Sequence, residues 1–408
     1  MTWLGDVLAD LADGAPQADL AERTIGLHQR RRRIAWSLAV VATAGAVAVT
    51  LVGVTAGVRD MVMYHPAAPG SVVDLPARGV GPLSYAYQTY CAPSEGVAPR
   101  DCRSGEWRLV TRGGTTYHLP QALRGLDAYI GEGLLASPLA ITRDGGKIAY
   151  YSSDAGTFQV RDLASGQVTT APSRVPQQWL GSIAHLLLSD DGRFLAFTKN
   201  PALTDPAMLI DMRERMVRPL PNGWNPIGLS PDGDVITLAQ YAPKARLKTL
   251  TRLWTTSTAG NGTTVDFTRH YLFSPLSPDG RTIVTLENRS TDADPCRSSL
   301  MARADPVTGR PRATIAASSV LLRGDALSLR SWLNDDELLV LVDAGATCRT
   351  RRAPDVDEPA DTSPPRDPPY RTITGYALNV HTGATRIYAS YQAQGLFDLV
   401  LPGPGGAI

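Results

Sequence analysis

Short apolar runs alternate with tight polar turns along most of this chain. The fullest turn is Leu-Ser-Pro-Asp-Gly, which occurs at residues 229–233 and again at 276–280. Apolar residues precede each copy, and an alternating apolar segment such as residues 235–238 follows it. Asp-Gly pairs tolerate the positive φ angles that a tight turn between twisted strands requires, so each copy predicts a β-hairpin.

This hairpin turn recurs at intervals that are typical of propeller blades. Its copies contain Asp144 and Gly145, Asp191 and Gly192, Asp232 and Gly233, and Asp279 and Gly280, with a weaker copy at Asp335. Successive aspartates lie 47, 41, 47 and 56 residues apart. A period of this size, filled with short strands, predicts the blades of a β-propeller.

A second turn has the same period and joins the third and fourth strands of each unit. Its copies are residues 162–166, 305–309 and 379–383, with the glycine-rich residues 259–262 in the equivalent place. Five units therefore start near residues 135, 184, 224, 271 and 327. In the unit around Asp232 we expect strands at 226–229, 235–241, 252–257 and 263–267.

A sixth unit is expected where the two ends of the repeat region meet. Residues 83–90, 107–112 and 115–119 supply three strands but no inner strand, and the apolar residues 396–401 supply the missing one. Joining both ends in one blade leaves no free sheet edge.

The predicted fold is therefore all-β, a propeller over residues 83–401 with six blades of four antiparallel strands. A count of seven blades stays open. Residues 353–369 contain six prolines and are expected to form an excursion inside the fifth unit, because they cannot form a packed strand. Residues 402–408 are a short C-terminal tail.

The region before the repeats predicts one transmembrane helix. Residues 34–58 contain no charged side chain, and as a helix this run exceeds the hydrocarbon core of about 30 Å. Arg30, Arg31, Arg32 and Arg33 precede it and only Arg59 follows closely, so the positive-inside rule places residues 1–33, a tail with short helices, in the cytoplasm. A cleaved signal peptide is the competing interpretation, although the leader and the apolar run are both longer than usual. Residues 59–82 contain four prolines and are expected to be a stalk.

The placement of the four cysteines agrees with this topology. Cys91 and Cys102 lie in one predicted loop, and Cys296 and Cys348 lie in the corresponding loops of adjacent units. Four cysteines permit three pairings, of which we expect Cys91 with Cys102 and Cys296 with Cys348. Such disulfides require an oxidising compartment, and an extracytoplasmic propeller lies in one.

Candidate chemistry is sparse along the chain. A formal net charge of +1 creates no global field that attracts nucleic acid. We found no nucleophile elbow, zincin motif, Walker loop or paired-cysteine zinc motif, so no catalytic, cofactor or metal site is expected. Trp179, Trp224 and Trp332 are candidates for a ligand-facing ring near the inner strands, with packing between blades as the alternative. A small basic patch on a predicted loop contains Lys244, Arg246 and Lys248.

The recurrent LSPDG turns and the Asp-x-x-Thr-Gly joints resemble those of TolB-like and WD-repeat-like bacterial β-propellers, over roughly residues 83–401. This resemblance implies the fold and says little about function. No unit carries the Gly-His start or the Trp-Asp end of true WD repeats, so their hydrogen-bond network is not expected here.

These features favour a non-enzymatic, single-pass membrane protein whose extracytoplasmic propeller binds a protein, a peptide or an envelope glycan. An alternative hypothesis is a transmembrane sensor whose tail, residues 1–33, engages a cytosolic signalling partner such as a sigma factor. A third is a glycan lyase or hydrolase built on the propeller funnel. That enzyme would need clustered acids at equivalent inner-strand positions, which the sequence lacks.

Overall fold

The structure is a computed structural model, and it describes residues 63–64, 72–89, 105–125, 138–180, 186–198, 207–241, 250–258, 262–287, 300–318, 321, 327–343, 371–393 and 399–403. The predicted cytosolic tail, the predicted membrane helix, the proline-rich excursion and all four cysteines lie outside these residues. None of the helices within the described ranges is both long enough and apolar enough to span a bilayer. All described residues belong to one compact unit, residues 59–408.

The described strands form six blades of four antiparallel strands, preceded by the short strand β1 (Met63–Tyr64). Blade 1 contains β2 (Leu83–Gln88), β3 (Trp107–Thr111) and β4 (Thr116–His118). Blade 2 contains β5 (Leu139–Ile141), β6 (Lys147–Ser152), β7 (Thr157–Asp162) and β8 (Val168–Thr170). Blade 3 contains β9 (Leu186–Leu188), β10 (Phe194–Phe197), β11 (Met208–Asp211) and β12 (Met216–Pro219).

The remaining blades share one long strand. Blade 4 contains β13 (Asn225–Leu229), β14 (Val235–Tyr241), β15 (Leu250–Ser257) and the first half of β16 (Gly262–Phe273). Blade 5 contains the second half of β16 with β17 (Ile283–Glu287), β18 (Leu300–Ala304) and β19 (Pro311–Thr314). Blade 6 contains β20 (Leu327–Trp332), β21 (Glu337–Asp343), β22 (Arg371–Asn379) and β23 (Thr385–Ala393), and β24 (Leu399–Val400) follows.

The last strand completes the first blade. β24 pairs antiparallel with β2, with Leu399 opposite Tyr87 and Val400 opposite Ala86. It is thus the inner strand of blade 1, as predicted for residues 396–401. The prediction of six blades is confirmed, and the alternative count of seven is excluded for the described strands.

The hydrophobic core lies between neighbouring blades, where the faces of two sheets meet. Between blades 2 and 3, the rings of Phe158 and Phe197 have centroids 4.8 Å apart. Between blades 6 and 1, Tyr391 meets Tyr85 edge to face at 5.4 Å. Because each buried aromatic contributes roughly 1.5–3 kcal/mol, these clusters hold the blades together as one ring.

Hydrogen bonds also join the blades where their inner strands end. Trp332 Nε1 of blade 6 donates to the carbonyl oxygen of Pro275 of blade 5 at 2.8 Å. Three more joints share this end of the ring: Ser331 Oγ to Pro402 O at 2.9 Å, Gly403 N to Ile141 O at 2.9 Å, and Asp190 N to Pro231 O at 3.1 Å. The inner ring is therefore fixed by polar contacts as well as by packing.

Part of the segment predicted as a stalk contacts the blades. Leu75 and Val80 are buried with the cluster between blades 1 and 2. The amide of Gly79 donates to the carbonyl of Ala164 at 2.8 Å, and β1 pairs in parallel with β23. Residues 63–64 and 72–82 thus run along the outside of blades 6, 1 and 2.

Candidate functional site

The two faces of the ring carry connections of very different length. On one face, which we call the turn face, short turns join first to second and third to fourth strands, such as residues 189–193 and 230–234. On the other, the loop face, the links from second to third strands include residues 89–106, 198–207, 288–299 and 344–370. Loops held by a rigid scaffold are where binding residues concentrate, so the loop face is the candidate binding face.

The repeated aspartates on the turn face are used by the turns themselves. In blade 3, Ser189 Oγ donates to Asp191 Oδ1 at 2.6 Å, and this oxygen accepts from the amide of Arg193 at 2.9 Å. Ser189 Oγ in turn accepts from the amide of Phe194 at 2.9 Å. Equivalent bonds surround Asp144, Asp232 and Asp279. The predicted hairpins are confirmed, and these carboxylates accept hydrogen bonds from groups of their own turns.

The positive φ angle in each of these turns belongs to the glycine alone. Gly145, Gly192, Gly233 and Gly280 have φ between 73° and 77°, whereas Arg215 is the one described non-glycine residue with positive φ.

The hydrogen bonds in these turns also change the pKa of the aspartate carboxyl group at Asp144. Burial acts to raise the pKa of Asp144, but hydrogen bonds from Thr142 and Gly146 outweigh it and hold that pKa below its ordinary value.

The second repeated turn occurs once more than the sequence indicated. Asp211 Oδ1 accepts from the amides of Arg213 and Glu214, both at 3.0 Å, in blade 3. Asp305 does the same with Val307 and Thr308 in blade 5. Arg215, with φ of 54°, stands where the other copies have glycine, and its presence hid this copy from the pattern.

One aromatic and charged cluster lies at the loop face of blade 4. The guanidinium of Arg252 lies 5.4 Å from the ring centroid of Trp224, and that ring meets Trp254 edge to face at 5.5 Å. Arg252 Nε donates to Asp266 at 2.5 Å and its Nη1 donates to Gln240 at 3.1 Å. We call these five residues the blade 4 cluster.

Within the described residues, two donor groups of the blade 4 cluster have no hydrogen-bond partner. The Arg252 side chain is 43% exposed, and the described residues provide no partner for its Nη2 group. The buried Trp254 Nε1 also finds no acceptor within the described parts of the chain. Lys244, Arg246 and Lys248 fall in the sequence between β14 and β15, as predicted, and lie outside the described residues. The exposed guanidinium of Arg252 suits a carboxylate or a hydroxylated group.

The three candidate tryptophans do not line one mouth. Trp224 precedes β13 at the loop face, whereas Trp332 ends β20 at the turn face and is 1% exposed. Trp179 lies in a 3-10 helix, Gln177–Leu180, and packs against the cluster between blades 2 and 3. Trp224 and Trp332 are both buried in clusters between blades, and Trp224 belongs to the candidate site because its ring also contacts the exposed Arg252.

A series of polar side-chain contacts on blade 1 holds the segment around Asp74 against the blade. His118 Nδ1 lies 2.9 Å from Asp74 Oδ1, and its Nε2 lies 3.6 Å from Glu106 Oε2. Glu106 also accepts from Arg108 Nη2 at 2.9 Å. The two carboxylates contact opposite sides of the imidazole and do not converge on one point. Among the described residues, no group of three His, Cys, Asp or Glu side chains could hold a metal ion.

Comparisons with known proteins give structural matches only. No family model matches the sequence. No curated protein matches it either. TolB from Acinetobacter baumannii is 15% identical, with a TM-score of 0.41, over 78% of this chain and 68% of its own. A putative TolB from Agrobacterium tumefaciens is 13% identical, with a TM-score of 0.42, over 80% of this chain and 100% of its own.

An oligogalacturonate lyase from Vibrio parahaemolyticus is also similar. It is 12% identical, with a TM-score of 0.42, over 77% of this chain and 80% of its own. Structural similarity with TM-scores this low does not indicate an activity. The propeller class of this chain therefore rests on its own strand pairing and ring closure.

Proposed function

We propose that this protein is a membrane-anchored binding propeller that displays its loop face outside the cytoplasm to a protein, a peptide or an envelope glycan. The observation that carries the proposal is the difference between the two faces. Long connections emerge from one end of a closed, rigid ring, and short hydrogen-bonded turns cover the other. A rigid display lowers the ordering entropy that binding costs.

The blade 4 cluster supports a ligand that bears carboxylate or hydroxyl groups. Arg252 presents a charged donor next to Trp224, and the sequence that links β14 to β15 contains three basic residues. The membrane anchor and the extracytoplasmic location rest on the apolar run at residues 34–58 and the arginines before it. The turn-face aspartates are proposed to contribute to turn stability only.

Photocrosslinking in intact cells tests this function. A benzophenone amino acid replaces Ser153, which is exposed on the loop face, or Val307, which is 48% exposed on the turn face. We expect a specific envelope protein or glycan to be captured from position 153 and not from position 307. Capture is expected to fall several-fold with Arg252→Ala and to persist with Arg312→Ala, a comparably exposed arginine on the turn face. Equal capture from both faces would contradict the proposal.

A further inference from the structure

The outer strand of blade 6 carries an exposed apolar pair. Ile387 and Tyr388 are 49% and 47% exposed, although they are consecutive residues of β23. Side chains of consecutive strand residues ordinarily point to opposite faces of a sheet. Outer strands of other blades also expose consecutive residues, as β8 does, but Ile387 and Tyr388 are the one consecutive pair among the exposed large apolar residues of the described strands.

A β-bulge lies at this pair. In the pairing of β23 with β22, Ala389 lies opposite Gly375 and Ile387 lies opposite Tyr376, so Tyr388 is an extra residue without a partner position. A bulge places two residues against one and re-aims their side chains. Past the bulge the strand is covered, because Ser390 and Tyr391 pair with β1 and are buried.

The same strand receives the chain where it enters the propeller. β1 runs parallel to β23, with Met63 opposite Ser390, so the entry point lies three residues from Ile387 along the strand. β23 starts at the turn face, directly after the turn at residues 380–384. The exposed pair and the point of entry therefore occupy the same side of the blade 6 rim, towards the turn face.

The distance from the membrane to this rim is limited by the sequence. Val58 ends the apolar run and Met63 begins β1, and five extended residues span at most about 18 Å. This step rests on the proposed function, because it requires residues 34–58 to be anchored in a bilayer. A tyrosine beside an aliphatic residue is the composition found where protein meets the membrane interface.

We propose that Ile387 and Tyr388 contact the surface of the bilayer, so that the blade 6 rim rests on lipid. The turn face is then tilted towards the membrane and the loop face away from it. A lipid surface accounts for the apolar character of this exposed pair and for its position near the end of the tether.

Photolabelling from lipid tests this contact in the full-length protein. The chain is reconstituted in vesicles of phosphatidylcholine and phosphatidylglycerol that contain a diazirine phosphatidylcholine with its reactive group near the headgroup. Trypsin cleavage after Arg386 isolates residues 387–408, and cleavage after Arg161 and Arg174 isolates residues 162–174 with the control Val168, which is 45% exposed on blade 2. We expect several-fold more lipid adduct at Ile387 and Tyr388 than at Val168. Tyr388→Glu is expected to reduce it, and Val168→Glu is not.

One outcome would overturn the contact while the anchor stands. It is equal or absent labelling of the pair in protein that resists carbonate extraction. Extraction of the protein by carbonate would instead remove the anchor, and the proposed location would fail with it. Far-UV circular dichroism of each variant checks that the blades remain folded.

Discussion

Arg143 of blade 2 and Asp190 of blade 3 form an ion pair across the inner ring, with 3.3 Å between Arg143 Nε and Asp190 Oδ2. The backbone amide of Arg143 also donates to Asp190 Oδ1 at 3.1 Å. Burial is the largest influence on Asp190 and raises the pKa of its carboxyl above the ordinary value, in spite of Arg143. One carboxyl group thus joins two blades through a side chain and through the backbone.

We expect Asp190→Ala to destabilise the protein more than Asp190→Asn, by about 1 kcal/mol, because asparagine keeps an acceptor for the Arg143 amide. The folded-state pKa lies above the unfolded value of 3.8, so ionisation opposes folding. Relative to Asp190→Asn, the wild type should therefore lose stability as pH rises through the folded-state pKa. Denaturant unfolding of all three proteins across this pH range measures both effects. Equal costs for the two substitutions would show that the backbone hydrogen bond contributes nothing.

Two glycines with the same backbone angle should respond differently to alanine. Gly233 and Gly280 both have φ of 73°, and a Cβ at Gly280 would meet no atom within 4 Å. A Cβ at Gly233 would lie 2.3 Å from Cδ2 of Phe194, a buried ring. We expect Gly280→Ala to cost about 1 kcal/mol from the backbone alone, and Gly233→Ala to cost about 1–3 kcal/mol more from overpacking. Similar losses of unfolding free energy in both variants would contradict this difference.

Arg215 stands in a backbone conformation that suits glycine. Its φ is 54°, its side chain is exposed, and the equivalent turn residues are Gly166, Gly309 and Gly383. We expect Arg215→Gly to raise the free energy of unfolding by about 0.5–1 kcal/mol, because relief of the left-handed strain exceeds the added chain entropy. The control is Arg213→Gly in the same turn, which has no such strain to relieve and should destabilise. Loss of stability in Arg215→Gly would show that its side chain makes a contribution not visible in the turn.

Asp305 should make stability dependent on pH at the acid end. Burial acts to raise its pKa, but hydrogen bonds from Thr308, Arg312 and Val307 outweigh burial and lower the pKa to about 2. Its contribution is therefore present above the unfolded value of 3.8 and is lost as pH falls towards about 2.

Asp305→Asn isolates this charge, because Asn379 already accepts from two amides in the equivalent turn of blade 6. We expect the variant to be about 1–2 kcal/mol less stable than the wild type at neutral pH, after allowance for partial exposure. The difference should vanish near the folded-state pKa. Unfolding free energies measured across the acid range test this, and a gap that does not change with pH would refute it.

The patterns of turn residues and apolar runs were sufficient to predict the blades, because they recur around the ring. Inner strands begin at Leu139, Leu186, Asn225 and Leu327, close to the predicted unit starts. Closure of the ring by β24 was also predictable. The first unit lacks an inner strand, and the last apolar run of the repeat region belongs to no other unit, so pairing the two leaves no free sheet edge.

Other features depend on contacts that no local pattern encodes. β16 continues from Gly262 to Phe273 and serves two blades, because no turn residue interrupts it. The blade 4 cluster brings together Trp224, Arg252 and Asp266 through strand register, which sequence spacing does not reveal. The packing of Leu75 and Val80 against blades 1 and 2 could not be predicted, because isolated apolar residues show no periodic pattern.

The lysines of the chain allow a direct test of whether the propeller lies outside the cytoplasm on a membrane anchor. The sequence has four, Lys147, Lys199, Lys244 and Lys248, and all fall within the propeller. Intact cells that produce the protein are treated with a membrane-impermeant amine reagent, and labelled peptides are quantified before and after lysis. We predict that peptides with Lys199, Lys244 and Lys248 are labelled in intact cells to nearly the level reached after lysis. Labelling of these peptides only after lysis would place the propeller in the cytoplasm and contradict the proposed function.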